Sequence, residues 1–462
     1  MKTSNLPPAP KGHFLFGILN EYVRDPLGFL TLCAQDYGDI VYFPGIRFVG
    51  YKAYFINHPD YIEEVLATKT HQFGKFNQGL GIIGRILGNG LVTSEGDFWR
   101  HQRRLIQPAF HRERIAAYGE VMVAYTNRML TRWQAGEIHD VHEDMMRLTL
   151  EIAAKTLFDV DMADQADEVG QALAFAIAYF DQWQRNPIAM LLPENVPTPG
   201  NLRSRKVIQR LDAIAYELIR QRRESGQDTG DLLSMLLHTQ YEDGSQITDQ
   251  QVRDEVMTIL LAGHDTTALA MTWMLYLLSQ HPEVEAKLVT ELQTVLNGRD
   301  PTFADLPQLR YTDRVVKEAL RLYPPVWGMA RRANTDSEIG GYPIPKGSVI
   351  ILSQWVMQRD SRYFDQPEVF NPDRWADGLA QRLPTYAYFP FGGGPRVCIG
   401  KSFAQMEAVL LLATMAQKFQ FTLVPGQEVE PWPAFTLRPK QGIKMVLSER
   451  SVQDTPVLSA NL

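Results

Sequence analysis

The chain has 462 residues, of which 45% are hydrophobic and 21% charged, with a formal net charge of −7. That length allows a large core with several packed layers, and the balance is ordinary for a globular protein. The acidic charge argues against a nucleic-acid partner. Only two cysteines occur, Cys33 and Cys398, which excludes a disulfide framework and fits a reducing compartment.

Residues 1–22 carry Pro7, Pro8 and Pro10 but no apolar run of signal-peptide or anchor length. A cytoplasmic chain with no membrane anchor is therefore expected. Residues 39–57 read as β-rich around a Pro44-Gly45 turn. The run Trp99-Arg100-His101-Gln102-Arg103-Arg104 reads as a basic helix face. Helices are predicted over 112–133, 142–158 and 206–225 from their apolar spacing. Residues 186–200 are proline-rich and predict a surface loop. His139 and His142, followed by Glu143, match no zinc-protease pattern and are taken as surface residues.

A long central helix begins after Thr248. Thr248 with Gln251 fits a capping box, and Ile247 with Val252 fits the accompanying hydrophobic staple. Extended to Gln280, it is about 50 Å long at ~1.5 Å per residue. Its apolar stretch is interrupted by Ala262-Gly263-His264-Asp265-Thr266-Thr267. Hydrocarbon would penalise those groups, so the segment is a buried core helix and not a membrane span. Helices at 284–296 and 314–322 follow, then a β-rich patch at 337–352. A polar tail starts at Glu449, and no internal repeat is present.

The sequence Phe391-Gly392-Gly393-Gly394-Pro395-Arg396-Val397-Cys398-Ile399-Gly400 opens onto an amphipathic helix over 401–419. A thiol at a helix start is favoured as the anion by backbone N–H groups and the helix dipole. The plain alternative is a small buried hydrophobe. Gly400-Lys401-Ser402 ends like a phosphate loop, but that motif needs glycine where Pro395 stands. Zinc lacks a second nearby cysteine. Thiolate ligation of haem iron fits the glycine-rich approach best.

The spacing of Phe391, Gly394, Arg396, Cys398 and Gly400 resembles the haem-binding signature of the cytochrome P450 family. Glu318-Ala319-Leu320-Arg321, the later Phe370-Asn371-Pro372-Asp373-Arg374-Trp375 and Ala262–Thr267 follow the family's order. The resemblance covers nearly the whole chain, read as one domain over 1–462. It implies a mainly α fold, a large helical domain with a smaller β-rich subdomain, binding haem b.

Further expectations follow from the resemblance. Cys398 would be the axial iron ligand. Phe391, Gly394, Arg396 and Gly400 would complete the cofactor loop, with Trp99, Arg103 and Arg331 toward the propionates. Thr266 would steady dioxygen and Asp265 would relay protons. Glu318, Arg321 and Arg374 would form a buried structural network; with one acid for two arginines, it needs backbone acceptors. Ala262, Val326, Trp327, Met329 and Phe435 would line an apolar pocket for a lipophilic substrate: a fatty acid, terpenoid or carotenoid-like chain. The implied activity is monooxygenation with O2 in a monomeric enzyme. Electrons would come from a separate ferredoxin or flavodoxin-type donor with its reductase, docked on Arg100, Arg104, Arg112 and Arg114. A haem-thiolate isomerase or peroxygenase, a non-catalytic haem binder and a nucleotide hydrolase are the competing readings.

Overall fold

The computed structural model describes residues 6–12, 17–44, 52–77, 80–162, 165–186, 196–239 and 246–450. The central helix, Asp249–Gln280, is buried over most of its length. Its capping box forms as predicted: Gln251 N donates to Thr248 Oγ1 at 3.3 Å, and Thr248 N donates to Gln251 Oε1 at 3.0 Å. The staple residues Ile247 and Val252 are both buried. No described helix is long and apolar enough to cross a membrane.

The other helices enclose this axis. Val141–Phe158 packs along one side, and Lys401–Lys418, here called the thiolate helix, packs on another. Arg112–Leu130 in turn covers the thiolate helix. Arg310–Leu322 and Pro282–Leu296 complete the layer, close to the predicted 314–322 and 284–296. Pro199–Ser225 begins earlier than predicted, inside the expected loop, because Thr198 caps it through Asn201 N at 3.1 Å and Pro199 occupies its first turn. Residues 187–195 of that expected loop, the Gly45 half of the predicted turn and the tail beyond 450 lie outside the described residues.

The β-rich portion is a five-stranded sheet. Its strands run Ile40–Phe43, Ala53–Ile56, Val349–Leu352, Met329–Ala333 and Phe73–Lys75 from edge to edge. Ala53–Ile56 and Val349–Leu352 pair parallel; the other neighbours are antiparallel. The register sets Lys75 directly opposite Arg331. Near the C-terminus a short hairpin, Pro431–Pro433 with Leu437–Pro439, lies against the central helix. The buried Trp273 indole donates to Leu437 O at 2.9 Å and fastens it there.

Candidate active site

The cysteine loop is held by its own backbone. Cys398 N donates to Phe391 O at 3.0 Å, and Val397 N to Gly394 O at 3.1 Å. Gly394 has φ +64°, and a Cβ there would lie 1.8 Å from the Leu66 carbonyl oxygen. Its lack of a side chain is therefore used against the protein's own backbone at Leu66 and Ala67. Gly400 precedes the thiolate helix.

Cys398 keeps accessible surface, yet burial is the main influence on its thiol. Burial raises its pKa above the ordinary thiol value. The Gly400 N–H and the charges of Arg103 and Lys401 pull the other way and do not win. The helix start thus favours the anion as expected, but burial outweighs it. The protein positions an anion-favouring set around the sulfur, and a coordinated metal would complete the deprotonation.

The loop rests on a saturated ionic network. Glu318 and Arg321 are fully buried and joined by Arg321 Nε–Oε2 and Nη2–Oε1 bonds of 3.0 and 2.8 Å. Arg374 Nε reaches Oε1 at 2.9 Å, and the Trp375 indole reaches Oε2 at 2.9 Å. The surplus guanidinium N–H groups donate to the carbonyls of Gln358, Asp365, Gln366, Pro367 and Val369. Gln358 links this network to the cysteine segment. Its amide donates to Leu320 O and Arg321 O, while its Oε1 accepts from Phe389 N at 3.1 Å. No motif marked Gln358 in the sequence.

A second group is cationic. Arg331 is buried, and Arg396 lies beside it. Arg331 Nη1 has the Ala330 carbonyl at 3.0 Å; Arg396 Nη1 has Ser94 O at 3.0 Å. Lys75, which the sequence did not single out, joins them. Burial and the charges of Arg331 and Arg396 push its pKa well below the usual lysine value, with Glu95 opposing. Arg331 is lowered to about 10, chiefly by burial. Three crowded cations with one neighbouring acid are costly unless further anions neutralise them. Two carboxylates, as on a haem, satisfy that need. Trp99 stacks on Arg396, with the guanidinium carbon 4.2 Å from the ring centre. Arg103 Nη1 donates to Val397 O at 2.8 Å, and its charge acts on Cys398.

On the central helix, Ala262 is exposed and Gly263 and Thr266 are partly so, while Leu261, His264, Asp265 and Thr267 are buried. One narrow face thus opens in an otherwise enclosed helix. Thr266 Oγ1 donates to Ala262 O at 2.8 Å, a bond that leaves its oxygen able to accept another. Asp265 is held on the other side by Arg438, Nη2 to Oδ1 at 2.8 Å. Arg438 also donates to Thr436 Oγ1 at 3.1 Å. Asp265 and Thr266 are adjacent in sequence, but the structure shows no hydrogen bond between them. Glu407, fully buried on the thiolate helix, has its pKa held up to about 8 by burial, despite the nearby Thr267 hydroxyl.

The expected pocket residues divide. Val326, Met329 and Phe435 are partly buried. Phe435 meets Phe180 edge-on at 5.7 Å, and the Met329 methyl lies against Gly392 of the cysteine loop. The Trp327 indole donates to Ala434 O at 3.0 Å, and Trp327 is packed against the small apolar cluster that contains Leu30, Phe43 and Val356. It braces the hairpin against the sheet.

The family model for cytochrome P450 matches residues 7–447. Cyclooctatin synthase of Streptomyces melanosporofaciens is 38% identical over 435 residues, covering 93% of each chain. Cyclooctat-9-en-7-ol 5-monooxygenase of the same organism is 37% identical over 90% of each chain. Pentalenene oxygenase of Streptomyces avermitilis is 35% identical over 96% of this chain and 97% of that one. By the match over nearly its whole length and by these relatives, the chain belongs to the cytochrome P450 monooxygenases.

Proposed function

We propose that the chain inserts one oxygen atom from O2 into a cyclic terpenoid, using haem b ligated by Cys398. The cation cluster of Lys75, Arg331 and Arg396 carries the cofactor reading, because it supplies opposite charge for two propionates beside the cysteine loop. When bound, the haem supplies the iron and the dioxygen chemistry. The Gly400 N–H and Arg103 stabilise negative charge on the sulfur, and the Glu318 network keeps the loop from shifting. The opened face at Ala262, Gly263 and Thr266 leaves room for oxygen beside a hydroxyl. Thr266 holds and passes a proton there, and Asp265 supplies it. Retention of this acid–hydroxyl pair favours oxygenation over isomerisation.

The substrate class rests on apolar side chains among the expected pocket residues and on the relatives' names. Phe180, Met329 and Phe435 offer shape without charge, which suits an apolar ring system. Two relatives are named for oxidations of cyclooctat-9-en-7-ol and pentalenene. The electron donor is a separate acidic ferredoxin or flavodoxin, and the enzyme acts as a monomer. Arg104 and Arg112 are exposed, and Arg112 edges a cleft of about 760 Å³ that also touches Arg310, Arg314 and Gln405 beside the thiolate helix. Arg100 is paired with Asp97, so the docking charge narrows to Arg104, Arg112 and Arg114, the last also donating to the Gly230 carbonyl.

Titration of the ferric enzyme with cyclic terpene hydrocarbons and alcohols, followed by the haem absorption shift, tests the substrate class. Saturable shifts with these compounds are expected. A response confined to small charged compounds contradicts it.

A further inference from the structure

The Asp265–Arg438 pair is not isolated. His142 and His264 stand beside it, close enough that Arg438 and Asp265 both act on each imidazole. Buried polar atoms without a hydrogen-bond partner collect here: His142 Nδ1, both ring nitrogens of His264, Asp265 Oδ2 and Arg438 Nε. The Met146 carbonyl lies near the His264 ring but not in normal hydrogen-bond geometry. Unpaired donors and acceptors grouped in this way are what buried water bridges.

His264 and Asp265 are buried, so neither exchanges protons with the surface directly. His142 and Arg438 are the partly exposed members of the group. A guanidinium does not release its proton in a protein, whereas a neutral imidazole offers one donor and one acceptor nitrogen. That leaves His142 as the member able to carry protons between surface and interior. Its backbone is placed firmly: the main-chain N–H of His142 donates to Asp140 Oδ1 at 3.0 Å, which starts the helix Val141–Phe158. The backbone of His264 is tied to the same helix through Thr149 Oγ1 to His264 O at 3.0 Å. The sequence reading of His142 as an incidental surface residue is therefore corrected.

We propose that His142, with His264 behind it, is the proton port of the oxygen-reducing site, feeding Asp265 from the side of the helix Val141–Phe158. The inference rests on the reading of Asp265 and Thr266 as the proton-delivering pair. One proton moves inward per passage. A solvent hydronium ion gives its proton to one nitrogen of His142 as the other nitrogen releases its proton toward Asp265, directly or through His264 and bridging water, and the ring then returns to its first tautomer. Asp265 becomes the neutral acid, leaves Arg438, and returns to carboxylate on protonating Thr266 Oγ1. The original hydroxyl proton of Thr266 passes to the oxygen being reduced. Electrons come from the donor protein and do not travel this route.

Burial, the main cause, and Arg438 lower both imidazoles to about 4, against Asp265, which raises them. The charged and titratable groups facing His142 are Arg438, Asp265, Asp140 and His264. Both rings are thus neutral at working pH, with one nitrogen free to accept and the other to donate.

The test uses the haem-loaded enzyme and two readouts. The first is the ring ¹⁵N titration of His142 and His264 in the diamagnetic ferrous carbon-monoxide form. His142 is expected to titrate about 4, and Asp265→Asn to move it lower by removing the group that favours its charge. A His142 titration that ignores Asp265→Asn overturns the proposal. The second is product formed per electron consumed in His142→Phe and His142→Gln. His142→Phe should lower coupling about tenfold, less than the ~10²–10⁴-fold typical of losing an essential acid. His142→Gln, which bonds but cannot relay by ring tautomerism, should fall likewise with an unchanged carbon-monoxide spectrum. Full coupling in His142→Gln while Thr266→Ala uncouples overturns the port and leaves the delivering pair intact. Full coupling in Thr266→Ala as well overturns both.

Discussion

The Glu318–Arg321–Arg374 network and the His142–His264–Asp265–Arg438 cluster are both buried and both charged, yet they are finished differently. In the first, each guanidinium has the carboxylate and several carbonyls, and no atom of the three residues is left unpaired. In the second, five atoms lack partners. A closed network has one low-energy arrangement and fixes a loop in place. An open cluster can exchange partners at small cost, as proton movement requires. Rigidity lies under the cysteine, and adaptability lies beside the opened face of the central helix.

The largest expected effect comes from breaking the closed network. Arg321→Ala leaves Glu318 buried beside a single arginine, and losing one partner of such a pair costs ~3–5 kcal/mol. Denaturant unfolding and haem content should both show it. A loss below about 1 kcal/mol, the range of surface pairs, contradicts the closed-network account. Thr266→Ala should unfold normally but consume electrons while forming peroxide in place of product, measured by oxygen and peroxide stoichiometry. Lys75→Met removes one charge from the cation cluster. A charge-assisted hydrogen bond is worth ~1.5–3 kcal/mol, so haem should transfer to an apo-globin acceptor roughly ten- to a hundredfold faster.

The smallest effect is one of pH. Burial raises the Glu407 carboxyl from 4.5 to about 8 in the folded chain. Between those values the unfolded chain is ionised and the folded one is not, so this group removes stability as pH rises through that window. His142 and His264, lowered from 6.5 to about 4, act oppositely and remove stability as pH falls from 6.5 to 4. Glu407→Gln should therefore gain relative to wild type as pH rises from 5 to 8, read from denaturation midpoints. A constant difference across that range contradicts the buried neutral acid.

The closed network was legible through the family resemblance, which two short motifs carry: Glu318 and Arg321 one helical turn apart, and Arg374 just before Trp375; the spacing alone would have read as a solvated pair. The central helix announced itself through Thr248, Gln251 and an apolar run. The open cluster was not legible. Arg438 stands alone between Leu437 and Pro439, and His142 shares a helix start with ordinary acids. They meet only because the hairpin and the helix Val141–Phe158 both pack on the central helix. Lys75 and Arg331 likewise meet through strand pairing between distant segments. Short strands carry too little periodicity to show such partners. Cys398 was found correctly as a loop residue, but the sign of its pKa shift depended on burial, which its neighbours in sequence do not report.

The proposed function makes Cys398 the axial ligand of a haem held on this scaffold. Its most direct test is the reduced, carbon-monoxide difference spectrum of the wild-type enzyme and of Cys398→Ala. The wild type should show the red-shifted band of thiolate-ligated haem, and Cys398→Ala should lose it. Persistence of that band in Cys398→Ala would contradict the account.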